Sequence, residues 1–384
     1  MLAVCGGLHF YIFPVVMAAM QEDLQVSLTA VTATIFVWGV AGAIVSPAMG
    51  AALDAWGPRR VVAAGTLLQA VSLAVVATSA SILQVYAGFA LAAVSLCANT
   101  YIAISAAVSA LFEKQRGQAM GVAMLGLGVG GLVLPNVTQR LLQLGWQQVY
   151  WIYAGLALLM LPLIWWGLAA AGGPAGTSGS EEVGDDGDHG PAALLRTRSF
   201  WGLALGDGLT GLIFSFFTVH FVAIATESGI TAATAALFFG VFLFLSSPGT
   251  LALGVLADRF SVWPLTMICY GLPVLLVPAL FGLPELVFLG LFALVPGFLA
   301  GGRAAIFPLA IGYSFGAPHV ARAYGWLNVA FLFGTAVGPM LSGVLHDRSG
   351  NYTSSIWVAW VLGVASVILV GLIRPERGWA VAER

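Results

Sequence analysis

Twelve predominantly apolar stretches follow one another along the 384-residue chain, most of them separated by links of fewer than ten residues. An α-helix needs about 20 such residues to cross the hydrocarbon core of a bilayer. In lipid it is also one of only two structures that satisfy every backbone hydrogen bond internally. The stretches run over 2–20, 28–53, 60–79, 82–111, 117–143, 148–170, 199–226, 232–256, 263–281, 284–314, 320–345 and 353–373. They predict an all-α membrane protein with twelve transmembrane helices. Composition excludes the soluble alternative, because only 8% of residues are charged, against about 25% in soluble domains.

An even number of spans places both termini on one side. Arg59, Arg60, Lys114, Arg116, Arg196, Arg198, Arg259, Arg322, Arg374, Arg377 and Arg384 fall on that side, whereas only Arg140 and Arg348 fall on the other. Cytoplasmic loops carry the excess of Lys and Arg, so both termini are expected in the cytoplasm. Trp146, Trp151, Trp357 and Trp360 mark the expected outer boundary, and Trp56, Trp165, Trp166, Trp201 and Trp263 the inner one. The first segment lacks the basic region and small-residue cleavage site of a signal peptide. It is read as a helix of the mature chain, whose start so close to the membrane leaves room for a few residues upstream. The predominance of Arg over Lys and the short loops point to a prokaryotic inner membrane.

A net charge of −2 provides none of the clustered cations that displace counterions from nucleic acid, so no nucleic-acid partner is expected. Cys5, Cys97 and Cys269 lie far apart in apolar runs and suit packing, not metal or disulfide frameworks. The one long polar stretch is 171–198, predicted as a cytoplasmic linker between a bundle at 1–170 and another at 199–373, with a tail at 374–384. Its acids Glu181, Glu182, Asp185, Asp186 and Asp188, with His189, could be read as a metal site. Their loose spacing and the surrounding Gly and Ser favour a solvated linker.

The halves repeat. Gly50-Ala-Ala-Leu-Asp54 matches Gly254-Val-Leu-Ala-Asp258, and Gly121 and Pro135 match Gly325 and Pro339, each pair 204 residues apart. Such a repeat predicts two six-helix bundles related by an axis along the membrane normal.

Gly50-x-x-Leu-Asp54-x-x-Gly57-Pro-Arg59-Arg60 resembles the signature loop of the major facilitator superfamily, with a decayed copy at Gly254 to Arg259. The Trp-Gly-Pro-Arg-Arg form, Phe112-Glu-Lys-Gln-Arg-Gly-Gln-Ala-Met-Gly121, and Tyr324-Gly-x-Leu-Asn328 before Gly338-Pro339 are similar to the monocarboxylate porter group within it. The resemblance implies two bundles rocking about a central site lined by helices 1, 4, 7 and 10. It also implies gating roles for Asp54, Arg59 and Arg60, and for Asp258 and Arg259 in the copy. For the arginines, fixing topology is an equal alternative. One departure matters: where those porters carry an acid and an arginine one turn apart in helix 8, this chain has Ser246 and Thr250.

A charge at the bilayer centre is costly and normally faces a cavity or a partner. Arg303 lies about 11 residues, or about 17 Å, from the cytoplasmic end of the tenth segment. Its repeat-mate is Asn99 in the fourth segment, expected to face it and orient a ligand, while Gly301 and Gly302 allow a close approach. No carboxylate obviously neutralises Arg303, and its planar fork fits a carboxylate, so an anionic substrate is expected. The alternative is an ion pair with Asp207, about two turns into the seventh segment. His9 and Asp207 are candidates for a coupling proton, with hydrogen-bonded packing as the other reading of His9. His220 is expected near the outer interface. Tyr11, Thr210, Phe307, Asn328, Ser246 and Thr250 complete the candidate binding residues, with Ser95, Phe214 and Tyr101 sharing faces or depths with them.

Enzyme classes fail on chemistry. No His-Glu-x-x-His or Gly-x-Ser-x-Gly occurs, the glycines at 126–131 lack the Gly-Lys-Ser/Thr ending of a phosphate loop, and the sole lysine, Lys114, precludes an intramembrane Schiff base. The sequence therefore predicts a secondary transporter of a small organic anion, a monocarboxylate moved with a proton by alternating access. It is expected to be a monomer in contact with lipid, protons and substrate, with no cofactor and no metal. A proton-coupled exporter of amphipathic compounds and a non-transporting sensor on the same fold are the alternatives.

Overall fold

A computed structural model describes residues 8–99, 116–168, 195–257, 259–277, 285–315 and 320–373. Among these, the secondary structure is helical throughout: α1 Leu8–Leu24, α2 Leu28–Ala77, α3 Ile82–Asn99, α4 Arg116–Leu141, α5 Trp146–Gly167, α6 Arg198–Glu227, α7 Ala232–Ala257, α8 Val262–Leu276, α9 Glu285–Phe315, α10 Val320–Ser349 and α11 Thr353–Gly371. Ser27 and Thr197 cap α2 and α6, accepting hydrogen bonds from the amides of Ala30 and Phe200. Nine segments among the described residues are long and apolar enough to span a bilayer. With α1, α4 and the shorter α8 they account for the twelve predicted spans.

The second and third of those spans are two helices within α2 that meet at a kink at Gly57, whose φ of 75° and ψ of 159° are non-helical. A residue without Cβ enters that region without a steric penalty, and Pro58 then restarts the helix. Leu83, Leu159 and Leu275 expose more than 65% of their surface, which suits a lipid solvent. Trp56, Trp151, Trp165, Trp166, Trp201 and Trp357 are exposed. Trp146 is only 3% exposed and donates from Nε1 to Asp23. The acidic stretch, Lys114, Tyr101, Asp258, Cys5 and the tail lie outside the described residues.

The 204-residue register persists in three dimensions. Helices α2 and α7 begin 204 residues apart, as do α4 and α10. Gln25, the one non-glycine residue with positive φ among those described, has Gly229 as its mate, each just beyond a helix C-terminus. Cys97 of α3 sits on the Gly42 carbonyl of α2 at 3.7 Å. At the matching positions Gly301 of α9 lies so close to the Ser246 carbonyl of α7 that a Cβ there would overlap it. The small residue has moved to the opposite helix while the crossing remains.

Contacts divide the chain into two compact units. One comprises residues 1–181 with 221–223 and 231–240; the other comprises 182–220, 224–230 and 241–384. In the second unit, α6 is pinched along a glycine seam. A Cβ on Gly211 would meet the Phe331 carbonyl of α10, and one on Gly206 would meet the Val370 side chain of α11. Small residues permit such approaches between membrane helices, and here they fix the depth of the residue between them, Asp207.

Candidate functional site

Asp207 lies nine residues into α6 and Arg303 twelve residues before the end of α9. At about 1.5 Å per residue, these depths differ by less than one turn. The side chains meet: Arg303 Nη1 donates to Asp207 Oδ1 at 2.6 Å. Tyr270 of α8 donates its hydroxyl to the same oxygen at 2.5 Å. The guanidinium carbon lies 4.1 Å from the centroid of the Phe331 ring and 5.9 Å from that of Phe307, an arrangement that further stabilises a desolvated cation. The expectation of an arginine without a carboxylate is thus corrected, and the alternative ion-pair reading describes this structure. An arginine is long enough to close the small difference in depth that made Asp207 look too shallow.

The pair is asymmetric. Asp207 is 1% exposed and its Oδ2 is buried without a hydrogen-bond partner among the described residues, whereas Arg303 keeps 16% of its side chain exposed. Arg303 faces a cavity within the second unit, partly open to its surroundings and lined mainly by apolar side chains. Thr210, one turn beyond Asp207, lies on the cavity wall and pairs its hydroxyl with Ser366 at 2.8 Å. Tyr270 was not among the sequence candidates, because a tyrosine in an apolar helix resembles packing. The available signal was its register, since its mate 204 residues earlier is the polar Thr66.

Other candidates lie elsewhere. Ser246 donates to the Leu243 carbonyl, and Thr250 to the carbonyls of Ser246 and Gly301, so both hydroxyls are engaged where α7 meets α9. The carbonyl that approaches Gly301 is that of Ser246, and Gly302 meets the Leu253 side chain, so those glycines admit a helix. Phe307 is buried in the core of the second unit, and Asn328 is half-buried on α10 away from the cavity lining.

In the first unit, Gln69 Nε2 lies 2.7 Å from His9 Nδ1, and Ser72 Oγ lies 3.4 Å from His9 Nε2. Ser95 donates to Gln69 Oε1, and Asn99 donates to Ser95. Tyr11 donates to the Leu127 carbonyl. The described hydrogen bonds of Asn99 therefore lie within its own unit. His9 matches the packing alternative, with both ring nitrogens held by neutral groups.

His220 is fully buried, with its nitrogens 2.8 Å from the Tyr352 hydroxyl and 3.1 Å from the Pro339 carbonyl. Burial, reinforced by Glu227 and Asp347, raises the Tyr352 phenol above its ordinary range. Of the gating candidates, Arg59 donates to the Trp165 carbonyl and lies 4.0 Å from the centroid of that ring. Arg60 and Arg259 are exposed; the Asp54 side chain and Asp258 are outside the described residues.

The family description Major Facilitator Superfamily matches residues 1–314 and 222–382. Monocarboxylate transporter 11 of Mus musculus is 28% identical over 347 residues, covering 86% of this chain and 75% of that protein. Monocarboxylate transporter 13 of Rattus norvegicus is 28% identical over 316 residues, covering 79% and 70%. An MFS-type transporter of Gibberella moniliformis is 25% identical over 345 residues, covering 85% and 78%. In fold, the chain is similar to a bacterial homologue of the human lysosomal transporter Spinster, with a TM-score of 0.71 at 14% identity over 96% of this chain and 92% of that one.

Proposed function

The chain belongs to the Major Facilitator Superfamily, and from that premise we propose that it carries a small organic anion, a monocarboxylate, in symport with a proton. Its fold and relatives are those of transporters, not enzymes. In this reading it works as a monomer by alternating access between two bundles joined by a cytoplasmic linker, in a cell inner membrane with both termini in the cytoplasm.

The observation that carries the proposal is the Asp207–Arg303 pair, open to a cavity on its arginine side. When empty, the site is neutral because the carboxylate offsets the guanidinium. A proton arriving at the unpartnered Oδ2 removes the charge of Asp207, and a substrate carboxylate then takes its place on Arg303. The loaded site is again neutral, so neither state leaves a net charge in the membrane, where such a charge costs several kcal/mol. An arginine offers a carboxylate two parallel donors, while Asp207 is held through Nη1 alone. Thr210 is placed to orient the substrate, and Tyr270 positions Asp207. His9 and Asn99, bound into their own network, are assigned to structure. Asp54, Arg59, Arg60, Asp258 and Arg259 retain the gating roles implied by the family motif.

The test is uptake of labelled monocarboxylates into proteoliposomes with and without an inward proton gradient, comparing wild type with Arg303→Ala. Gradient-stimulated uptake abolished by the substitution is the expected result. Expulsion of a cationic dye without flux of any carboxylate would replace this reading with that of an exporter of amphipathic compounds.

A further inference from the structure

The walls of the cavity are unlike its end. Arg303 closes one end, and along α9 the lining continues through Leu299 and Pro296 to Phe292. That is eleven residues on one helix face, or about 16 Å. Phe214 and Phe217 of α6 and Phe242 of α7 line the same space. These rings form one connected cluster. Phe242 stacks on Phe292 at 6.2 Å with an interplanar angle of 11°, Phe217 lies 4.8 Å from Phe292, and Phe214 lies 6.2 Å from Phe242. Trp360 of α11 adds a further aromatic wall.

We infer that this cavity selects carboxylates with an aromatic or bulky apolar body, the carboxylate on Arg303 and the body among Phe217, Phe242 and Phe292. The inference rests on the proposed carboxylate carriage and narrows it to a substrate class. A three-carbon acid would occupy only the Arg303 end and leave the aromatic walls without contacts. Ring faces and edges of opposite partial charge reward an aryl group entering such a cluster. The polar lining is concentrated toward Arg303, Tyr270, Thr210 and Ser366, so the cavity has one charged end and one apolar end, as an aryl-substituted carboxylate does.

The experiment compares uptake of phenylpyruvate, indole-3-acetate, pyruvate and lactate by the full-length protein in proteoliposomes, for wild type, Phe292→Ala and Phe292→Leu. Melting of each purified protein checks that the variants fold. The expected result is that aryl acids exceed pyruvate and lactate in kcat/KM by about tenfold or more, the scale of one well-buried ring. Phe292→Ala should raise KM for phenylpyruvate about fivefold to tenfold and leave any pyruvate KM unchanged, with Phe292→Leu between the two. Pyruvate and lactate carried as well as the aryl acids, with Phe292→Ala acting on all equally, would overturn the selectivity while leaving carboxylate carriage intact. Absence of flux for every acid in wild type would overturn both.

Discussion

The two units treat the same register position in opposite ways. Thr66 and Asn99 in the first unit match Tyr270 and Arg303 in the second. In the first, the polar groups are neutral and bonded to one another: Thr66 to Asn99, Asn99 to Ser95, Ser95 to Gln69, and Gln69 to His9. Gly65 presses close to this network, so that a Cβ there would lie 3.1 Å from Asn99 Oδ1. In the second unit one of the corresponding residues, Arg303, carries charge, Tyr270 is a neutral donor, and Asp207 from α6 completes the pair beside a cavity. A satisfied neutral network rigidifies what it joins, whereas a buried ion pair is a balance between opposed large energies. One arrangement suits a strut and the other a switch.

Arg303→Ala should break the comparison most severely. It removes the proposed anion site and leaves Asp207 buried without its cation, a loss of about 3–5 kcal/mol. Uptake should disappear and the melting temperature fall, with Asp207→Asn in the same chain recovering much of the melting temperature but none of the uptake. At the mate position, Asn99→Ala should cost only about 1–3 kcal/mol and retain uptake per folded protein.

Asp207→Asn alone sharpens the contrast in coupling. Substrate exchange should persist in counterflow assays while stimulation by a proton gradient vanishes; retained stimulation would transfer the proton role to another group. The helix crossings offer a third contrast. Gly301→Ala forces a Cβ into the Ser246 carbonyl and should cost about 1–3 kcal/mol. Gly42→Ala meets nothing nearer than Ala93 Cβ at 3.8 Å and should leave melting unchanged.

In the first unit, Gln69→Leu strips partners from His9 and Ser95. It should destabilise by about 1–3 kcal/mol without altering KM, which would separate a strut from a substrate contact. The smallest change in stability that should be measurable is at Gln25. Its glycine mate at 229 adopts positive φ without a Cβ, so Gln25→Gly should raise stability by up to about 1 kcal/mol in thermal melting.

Much of the site was legible because charge is conspicuous in an apolar chain. Arg303 and Asp207 each stand out as membrane-depth ions, and their pairing was one of two open readings. Tyr270 was illegible because its hydroxyl acquires meaning only when α8 brings it to Asp207. For Ser246 and Thr250 the structure adds local partners that the sequence does not announce. A hydroxyl in a helix can bond back to a carbonyl three or four residues earlier, and both do so here. The Asp207–Arg303 pair instead joins α6 to α9, which no local pattern announces.

Sequence alone determined the helical class, the number of spans, the 204-residue repeat and the residues that membrane burial forces to find partners. Those follow from hydrophobic length, backbone hydrogen bonding and the cost of charge in lipid, all of which act locally along the chain. Only tertiary structure decided which partners they find. Glycine seams set the relative depth of α6, α9 and their neighbours, and a shift of one turn would separate Asp207 from Arg303. The same packing holds His9 and Asn99 in a closed network while leaving Arg303 facing an aromatic cavity.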